Sequence, residues 1–540
     1  MLRDAAISLS LGNLCFVKVW ARALSGAGSY FSEFPIAYTS IILDVLLLAA
    51  IFFAGISLVR RAHRKLLTQF ARSIFLLALL TVSNGILVLG LNLTGVNYSL
   101  LLGRNVAYFT GLLLTMLLLI VAVRGREQIL RFAPRVLLAL LPFVLVTFVQ
   151  AGLRILENAG VVYAEGKAQS STPFTRKKPA SRVLWIVFDE LDQRLSFSGR
   201  PASVSLPELD RLRGQSVYAT NAYPPAPFTY MSMPALTTGR LVAEVSPVSS
   251  LEMMIRFDGA TTAVGWSTQP SVFSAARQSG YSSGLVGWSH PYCKVLGNSL
   301  AKCEEVKEKN NDEITLGASM FAQAEKLIGT IPLVLQTAIP VIQRVDLINQ
   351  IVTTDEREKY TVRHKRVLEG TLKAAVDPTL DLIFVHSPVP HPPGIYDRVK
   401  GDFSVAGRLS YLDNLALVDR SLGDVRRAME QAGIWDQTTV IISADHWWRS
   451  EMWSRGPFWT SEDAAVASTG PMDHRIPFLL KVAGQQRQLH YDPGFNTIVT
   501  HNLVLALMRG EVSTAGEVAA WLDQHRSIAD SPYNQDEVLP

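Results

Sequence analysis

The chain has 540 residues, of which 49% are hydrophobic, and its mean hydropathy is +0.21. This length indicates more than one domain, and this hydropathy is high for a soluble protein. The formal net charge of +5 is more than covered by the basic residues of two short turns near the N-terminus, described below, so the charge gives no reason to expect a nucleic-acid partner.

The apolar excess lies in the first ~155 residues, as runs long enough to cross a bilayer, which takes roughly 20 apolar residues. We predict a transmembrane bundle over residues 1–155 with about five helices, near 5–24, 36–59, 71–95, 105–123 and 133–153. The first run has a second interpretation as a signal peptide, because Ala21-Arg22-Ala23 loosely imitates a cleavage site. Lys18 inside that run favours a span. Buried core helices of a soluble protein are the alternative for all the runs.

Positive charge sets the orientation of such a bundle, because basic loops stay in the cytoplasm. The basic residues cluster after the second and fourth predicted spans: Arg60, Arg61, Arg64, Lys65 and Arg72, then Arg124, Arg126, Arg131 and Arg135. The intervening loop near 96–104 holds only Arg104. We therefore predict a multi-pass protein of the bacterial inner (cytoplasmic) membrane, with everything after residue 155 in the periplasm.

The exported part opens with a linker, 156–181, and then alternates short apolar runs with helical patterns such as Tyr411–Gln431. Four runs have the length of strands buried on both faces of a sheet, namely 183–188, 382–385, 439–443 and 477–480. The sequence predicts an α/β domain over 182–510, with a mainly parallel central sheet flanked by helices. A C-terminal helix and a polar tail are expected over 511–540.

Three of these runs end at an acidic residue or a histidine, where a parallel sheet builds its ligand site. Asp189 follows the first run, and Asp445-His446 follow the third. Together with the Thr229 hydroxyl they would suit a divalent cation, Zn²⁺ or Mn²⁺ first and Ca²⁺ or Mg²⁺ as alternatives. Such a cation would activate Thr229 as a nucleophile. Each residue alone has a structural reading as well, as a helix cap or a loop residue.

The segment Thr229-Tyr-Met-Ser-Met-Pro-Ala-Leu-Thr-Thr-Gly-Arg240 resembles the nucleophile segment of the sulfatase branch of the alkaline phosphatase superfamily. Sulfatases begin this segment with Cys or Ser, followed by Pro two positions on and Arg four positions on, and oxidise the first residue to formylglycine. Here Met231 and Met233 replace that Pro and Arg, and threonine cannot become formylglycine. The resemblance therefore favours phosphate esters, as in membrane phosphoethanolamine transferases and lipoteichoic acid synthases.

The resemblance also assigns roles to several histidines and to one carboxylate. Ser387 stands where two-metal relatives have an Asp four positions before His391, which implies one tightly held metal. His391 and His474 are then expected to contact phosphate or to act as general acid and base. Further expectations are that Glu190 adds a ligand carboxylate or is solvated, that His386 packs or caps, and that His290 is either a substrate-side histidine or a hydrogen-bonded loop residue.

Two further clusters lie in the exported part. Cys293 and Cys303 are expected to form a disulfide in an oxidising compartment, with two free thiols as the alternative. Four tryptophans follow the Asp-His pair within a short stretch, Trp447, Trp448, Trp453 and Trp459. They predict either a stacking surface for a sugar or the bilayer interface, or a hydrophobic core under a loop.

These features predict a metal-dependent, membrane-anchored phosphotransferase. A phospholipid donor would transfer its head-group phosphate to Thr229, and an envelope glycan or lipid would accept it. One alternative is a periplasmic sulfatase-like hydrolase, either a phosphodiesterase or a sulfuric ester hydrolase. A second alternative is a catalytically inactive membrane scaffold, against which the retention of Asp189, Thr229, Asp445 and His446 argues.

Overall fold

The computed structural model describes residues 1–17, 20, 34–62, 65–93, 124–165, 176–249, 252–306, 346–454, 458–470 and 474–526. The chain forms two compact units, which are described separately. The first comprises residues 1–166 with 311–352, and the second comprises 167–310 with 353–540. The predicted span 105–123, the linker segment 166–175 and the tail after 526 lie outside the described residues.

The first unit is helical in its described part. Its helices are α1 (Leu2–Cys15), α2 (Phe34–Ala62), α3 (Lys65–Leu93), α4 (Arg126–Ala139) and α5 (Leu141–Glu165). Helix α1 packs closely on α2, because Gly12 lacks a Cβ that would lie 3.0 Å from the Val45 carbonyl oxygen. Asp4 of α1 forms an ion pair of 2.6 Å with Arg60 at the end of α2.

One stretch of α2, Ile41–Arg61, is long and apolar enough to cross a membrane, with a mean hydropathy of 2.6. Helix α4 and residues 141–153 of α5 meet at a bend of 42° and together would make a second span. Within the described ranges these are the helices that meet the length and hydropathy criteria. The five-helix bundle therefore stays a prediction.

In the residues that the structure describes, the second unit is built on a nine-stranded sheet. The sheet strands are β1 (Arg182–Asp189), β2 (Val217–Tyr223), β6 (Ser283–Gly287), β7 (Lys302–Glu305), β8 (Leu382–Pro390), β11 (Thr438–Ala444), β12 (Ile476–Lys481), β13 (Leu489–Tyr491) and β14 (Phe495–Asn496). Their order is β13-β2-β12-β11-β1-β8-β6-β7, and β14 also pairs with β2. All pairings are parallel except those of β12 with its two neighbours. The predicted α/β domain with a mainly parallel sheet is confirmed.

Helices flank this sheet. They are α6 (Pro207–Gly214), α7 (Thr229–Thr238), α8 (Val272–Gln278), α9 (Tyr292–Val295), α10 (Asp346–Ala375, which belongs to this unit from residue 353 onward), α11 (Tyr411–Gln431), α12 (Ser450–Trp453), α13 (Ser461–Ala467), α14 (Thr500–Arg509) and α15 (Ala515–His525). Five short strands complete the unit in two smaller sheets: β3 (Val242–Ser249), β4 (Glu252–Phe257) and β5 (Val264–Gly265), and β9 (Tyr396–Asp397) with β10 (Asp402–Phe403). Helix α11 has the bounds that its sequence pattern predicts, and a capping box of Ser410 and Asp413 begins it.

The four predicted strands became β1, β8, β11 and β12, and their side chains are almost all fully buried. Burial on both faces explains why each strand has a continuous apolar run instead of alternation. Trp185 of β1 contacts Phe384 of β8 edge to face, with ring centroids 5.0 Å apart. These strands therefore form the buried core of the unit.

Candidate metal centre and nucleophile

The site residues lie near or just beyond the carboxyl ends of strands that run in the same direction. Asp189 ends β1, Asp445 directly follows β11, and His386 lies in the middle of β8, where it pairs with Val187 near the end of β1. These three strands are adjacent in the sheet, because β1 pairs with β11 on one side and with β8 on the other. Thr229 comes after the carboxyl end of β2. Strand β12 runs antiparallel to both β2 and β11, so β2 and β11 run in the same direction. One edge of the sheet thus gathers the predicted ligands, as open α/β sheets do.

Thr229 is the first residue of α7, and its Oγ1 lies 3.1 Å from Nε2 of His446. The rest of the segment fixes that helix. Ser232 donates to the carbonyl oxygen of Ala226 at 2.9 Å, which ties the first turn to the preceding loop. Gly239 ends the helix at φ +69°, where a Cβ would also lie 2.8 Å from the His501 ring. Ser232 and Gly239 therefore fix the two ends of the helix that begins with Thr229, and this positions the Thr229 hydroxyl.

The carboxylates of Asp189 and Asp445 are buried, with side-chain exposures of 2% and 0%. Burial raises the pKa of Asp189 well above its ordinary value, and the negative charge of Asp445 adds to that shift. Burial raises the pKa of Asp445 as well. Oδ1 of Asp445 accepts the backbone N–H groups of Glu190 and His446, at 3.2 and 2.8 Å. Two buried carboxylates in one cluster call for a cation or a proton between them.

His446 presents a lone pair to these carboxylates. Its Nδ1 lies 3.0 Å from the carbonyl oxygen of Trp447, and since a carbonyl can only accept, Nδ1 carries the proton. Nε2 therefore carries no proton and can accept from the Thr229 hydroxyl, and it lies 3.6 Å from Asp189 and 3.4 Å from Asp445. The structure thus brings Asp189, Thr229, Asp445 and His446 together, as the sequence predicts.

His386 joins this cluster, which the sequence pattern does not predict. Its Nε2 lies 4.0 Å from Oδ2 of Asp445, and its ligand atom is within 4.8 Å of those of Asp189 and Asp445. Three buried atoms of the group, Oδ1 of Asp189, Oδ2 of Asp445 and Nε2 of His386, have no hydrogen-bond partner among the described residues. Buried polar atoms are normally satisfied, so converging unsatisfied atoms of this kind fit a divalent cation.

Glu190 is fully buried but is already engaged. Its carboxylate accepts from Nε of Arg449 at 2.7 Å and from Nε1 of Trp453 at 2.8 Å. Burial raises its pKa, and the charge of Arg449 opposes that rise. The residue sits at φ +66°, in the left-handed region that is costly outside glycine, so the chain turns sharply after Asp189. A second possible ligand group, Asp189 with Glu190 and His391, shares Asp189 with the first.

His391 lies beside this second group and is partly exposed. Its Nδ1 is 2.9 Å from the hydroxyl of Tyr360 and also contacts the carbonyl oxygen of Pro392. Burial, together with the positive charge of Arg449, lowers the pKa of His391 to about 3. The ring is therefore neutral near pH 7.

The other two predicted histidines differ in their distance from the cluster. Nε2 of His290 lies 3.3 Å from the carbonyl oxygen of Thr229, so His290 borders the nucleophile segment, and burial lowers its pKa to about 4. His474 is buried and stacks on Trp447 with ring centroids 4.1 Å apart. It belongs to neither ligand group, and its predicted contact with phosphate stays a prediction.

Two arginines that the sequence analysis did not single out act on the cluster. Arg449 pairs with Glu190, and its positive charge also acts on Asp189 and Asp445. Arg363 of α10 lies over the Trp288 and Tyr360 rings at 4.9 and 4.8 Å, and its charge lowers the pKa of both Asp189 and His391. The site thus has two positive charges beside its carboxylates.

The tryptophan cluster is divided between core and rim. Trp447 and Trp448 are buried, and Trp448 stacks between Tyr411 and Trp459. Trp453 is partly exposed and lies edge-on to His391, with centroids 4.8 Å apart. Most of the cluster is therefore core under a loop, and one tryptophan borders the site.

Residues 181–507 match the family model described as Sulfatase. The chain belongs to the sulfatase family. The resemblance of the Thr229–Arg240 segment to the sulfatase branch of the alkaline phosphatase superfamily is therefore confirmed, and the match covers the whole site of this sulfatase-family chain. Comparison with curated proteins gives no match.

Several solved structures are similar to this sulfatase-family chain at low identity. The lipoteichoic acid synthase LtaP from Listeria monocytogenes is 13% identical, with 63% of this chain and 75% of that chain covered and a TM-score of 0.37. The phosphonate monoester hydrolase SpPMH from Silicibacter pomeroyi is 15% identical, with 61% and 73% covered and a TM-score of 0.37. The PsFucS1 sulfatase from Pseudoalteromonas sp. is 14% identical, with 66% and 70% covered and a TM-score of 0.38.

Proposed function

We propose that this protein transfers the head-group phosphate of a membrane phospholipid to an envelope glycan or lipid, through a covalent intermediate on Thr229. The observation that carries the proposal is the placement of the Thr229 hydroxyl, at the start of α7 and 3.1 Å from His446 in the buried carboxylate cluster. A threonine cannot be oxidised to formylglycine, so its oxygen itself is available as the nucleophile. This supports ester transfer to Thr229 over the chemistry of a formylglycine sulfatase.

Asp189, Asp445, His446, His386 and the Thr229 hydroxyl are the residues that would hold a divalent cation, with Zn²⁺ or Mn²⁺ favoured by the mixed nitrogen and oxygen donors. When bound, the cation would lower the pKa of the Thr229 hydroxyl, so that its proton passes to solvent, and would offset negative charge on the phosphoryl oxygens.

The chain's own residues then carry out two displacements. In the first, a bond forms between Thr229 Oγ1 and phosphorus, the bond from phosphorus to the diacylglycerol oxygen breaks, and that oxygen takes a proton from solvent. In the second, the acceptor hydroxyl oxygen attacks the same phosphorus, the bond from phosphorus to Thr229 Oγ1 breaks, and Oγ1 takes a proton from solvent. His391, whose ring is neutral near pH 7, is the residue that we propose takes the proton of the acceptor hydroxyl. Arg363 and Arg449 attract the anionic donor.

A position at the membrane supports this reaction, because the donor is a membrane lipid. We propose that the chain is a multi-pass protein of the bacterial cytoplasmic membrane with the catalytic unit in the periplasm. The apolar stretch Ile41–Arg61 and the basic residues at its end support anchoring. The disulfide between Cys293 and Cys303, whose Cα atoms are 5.6 Å apart, supports an oxidising compartment.

The test is the mass of the Thr229 peptide after the detergent-purified, cation-loaded protein is incubated with mixed bacterial phospholipids. A phosphoethanolamine or phosphoglycerol adduct is expected in the wild type and in Thr229→Ser, which keeps a hydroxyl, and none in Thr229→Ala. Thr238→Ala, at the other end of the same helix, is the matched control and should keep the adduct. An unmodified peptide in cation-loaded wild type, with hydrolysis of soluble esters instead, would contradict transfer and favour the hydrolase.

A further inference from the structure

The ring of His386 is held from one side by two groups of the segment that follows β6. Its Nδ1 lies 3.2 Å from the carbonyl oxygen of Trp288 and 2.9 Å from the hydroxyl oxygen of Tyr292. A carbonyl oxygen can only accept, so the contact with Trp288 requires that Nδ1 carries the proton. The hydroxyl oxygen of Tyr292 then shares that proton as a second acceptor. A neutral imidazole has one N–H, and Nε2 is left with a lone pair.

The Nε2 lone pair of His386 lies close to the carboxylates of Asp189 and Asp445, whose oxygen atoms also have lone pairs. Nε2 of His386 lies 4.0 Å from Oδ2 of Asp445, and a carboxylate oxygen of Asp189 completes the group within 4.8 Å. Nε2 of His386, Oδ2 of Asp445 and Oδ1 of Asp189 are buried and have no hydrogen-bond partner in the part of the chain that the structure describes. Three electron-pair donors that lie this close together repel one another, and a shared cation removes the repulsion.

Tyr292 is itself fixed in place, so its hydroxyl can orient another residue. The side chain is fully buried and packs edge-on against the rings of His290 and Trp266, with centroids 5.3 and 6.0 Å apart. The ring covers Gly287, where a Cβ would lie 2.7 Å from ring carbons. The next residue along the chain, Cys293, is joined to Cys303 of β7. Little room remains for the tyrosine to move.

We propose that Tyr292 is a positioning residue of the cation site: with the Trp288 carbonyl it holds His386 with Nδ1 protonated, so that Nε2 becomes a ligand beside Asp189 and Asp445. This inference rests on the cation site of the proposed function. It follows a general pattern of metal-binding histidines, which donate their other ring N–H to a fixed acceptor. The site thereby gains a second imidazole from a strand that the sequence pattern assigns to the core.

The test measures cation affinity in the full chain in detergent, stripped with a chelator and titrated with Mn²⁺ alone and with Zn²⁺ alone. Tyr292→Phe removes one oxygen and keeps the ring, and we expect affinity to fall about 10-fold or more, the usual effect of losing such a partner. Tyr491→Phe is the matched control, because its hydroxyl donates to Asp523 at 3.0 Å, and it should bind like wild type. Wild-type affinity in Tyr292→Phe overturns the positioning role.

A spectroscopic measurement tests the ligand directly. In the Mn²⁺-loaded wild type, electron spin echo envelope modulation should show couplings of the Mn²⁺ electron spin to nitrogen atoms of both His446 and His386. His386→Ala should lose part of that nitrogen signal. An unchanged nitrogen signal in His386→Ala overturns the assignment of Nε2 as a ligand. Because neither measurement uses a substrate, weaker cation binding without any adduct on Thr229 would support this inference and contradict the proposed function.

Discussion

The buried ion pair between Glu190 and Arg449 gives the most direct test of how the site is stabilised. Glu190 has no exposed side-chain surface, and Arg449 is 14% exposed. The carboxylate accepts from Nε of Arg449 at 2.7 Å and from Nε1 of Trp453 at 2.8 Å. Arg449→Met keeps most of the side-chain volume and removes the charge, so that a buried carboxylate stays beside Asp189 with one tryptophan N–H.

The expected loss is about 3–5 kcal/mol in the free energy of unfolding, because breaking a buried pair leaves one charge uncompensated. Glu190→Gln in the same chain removes that stranded charge, and its amide oxygen can still accept from Trp453. The double variant should therefore recover most of the loss. An exposed ion pair contributes less. Arg427 is 48% exposed and lies 2.6 Å from Asp424, so Arg427→Met should lower the free energy of unfolding by only about 0–1 kcal/mol.

The assay is chemical unfolding of the chelator-treated protein in detergent micelles, followed by tryptophan fluorescence, for wild type, Arg449→Met, Glu190→Gln, the double variant and Arg427→Met. The cycle isolates the interaction between the two charges. If Arg449→Met loses no more stability than Arg427→Met, the site charges are solvated and the reasoning from burial is wrong. A double variant as unstable as Arg449→Met would also contradict it, since the stranded charge would not be the cause.

Three further outcomes follow from the structure. Asp445→Asn should lose bound cation after dialysis, as measured by elemental analysis, because it removes one of the buried carboxylates. Burial lowers the pKa of His364 to about 3, below its unfolded value of 6.5, so its contribution to stability is full above pH 6.5 and is lost as the pH falls. His364→Gln should therefore reduce the loss of unfolding free energy between pH 7 and pH 5 by about 2 kcal/mol. Replacing Cys293 and Cys303 by Ser should cost about 2–3 kcal/mol in the free energy of unfolding relative to the oxidised wild type, and under reducing conditions this difference should disappear.

The sheet and most of the site are predictable because parallel strands buried on both faces produce continuous apolar runs. The residue after such a run must lie at the carboxyl edge of the sheet, and this places Asp189 and Asp445 without knowledge of the structure. Thr229 is placed by its own local signals, since Ser232, Gly239 and the helix start are encoded within one short segment.

His386, Arg449 and Arg363 show where this reasoning ends. His386 lies within the strand β8, so its pattern predicts packing, and its role depends on Trp288, 98 positions away along the chain. Arg449 donates a hydrogen bond to Glu190, which is 259 positions away along the chain. Arg363 is one of several basic residues on α10, and only the rings beneath it distinguish it. Contacts between distant segments leave no periodic signal, so these three residues could be found only from the structure.

The net charge of the site can be summed from its ionisable side chains. Asp189, Glu190 and Asp445 supply three negative charges when ionised, and Arg449 and Arg363 supply two positive charges. A divalent cation would change the sum from one negative to one positive charge. That sum complements an ester with a single negative charge, and a phospholipid phosphodiester and a sulfate monoester both have one. Charge alone therefore does not separate these two esters, and the mass of the Thr229 peptide is the measurement that does.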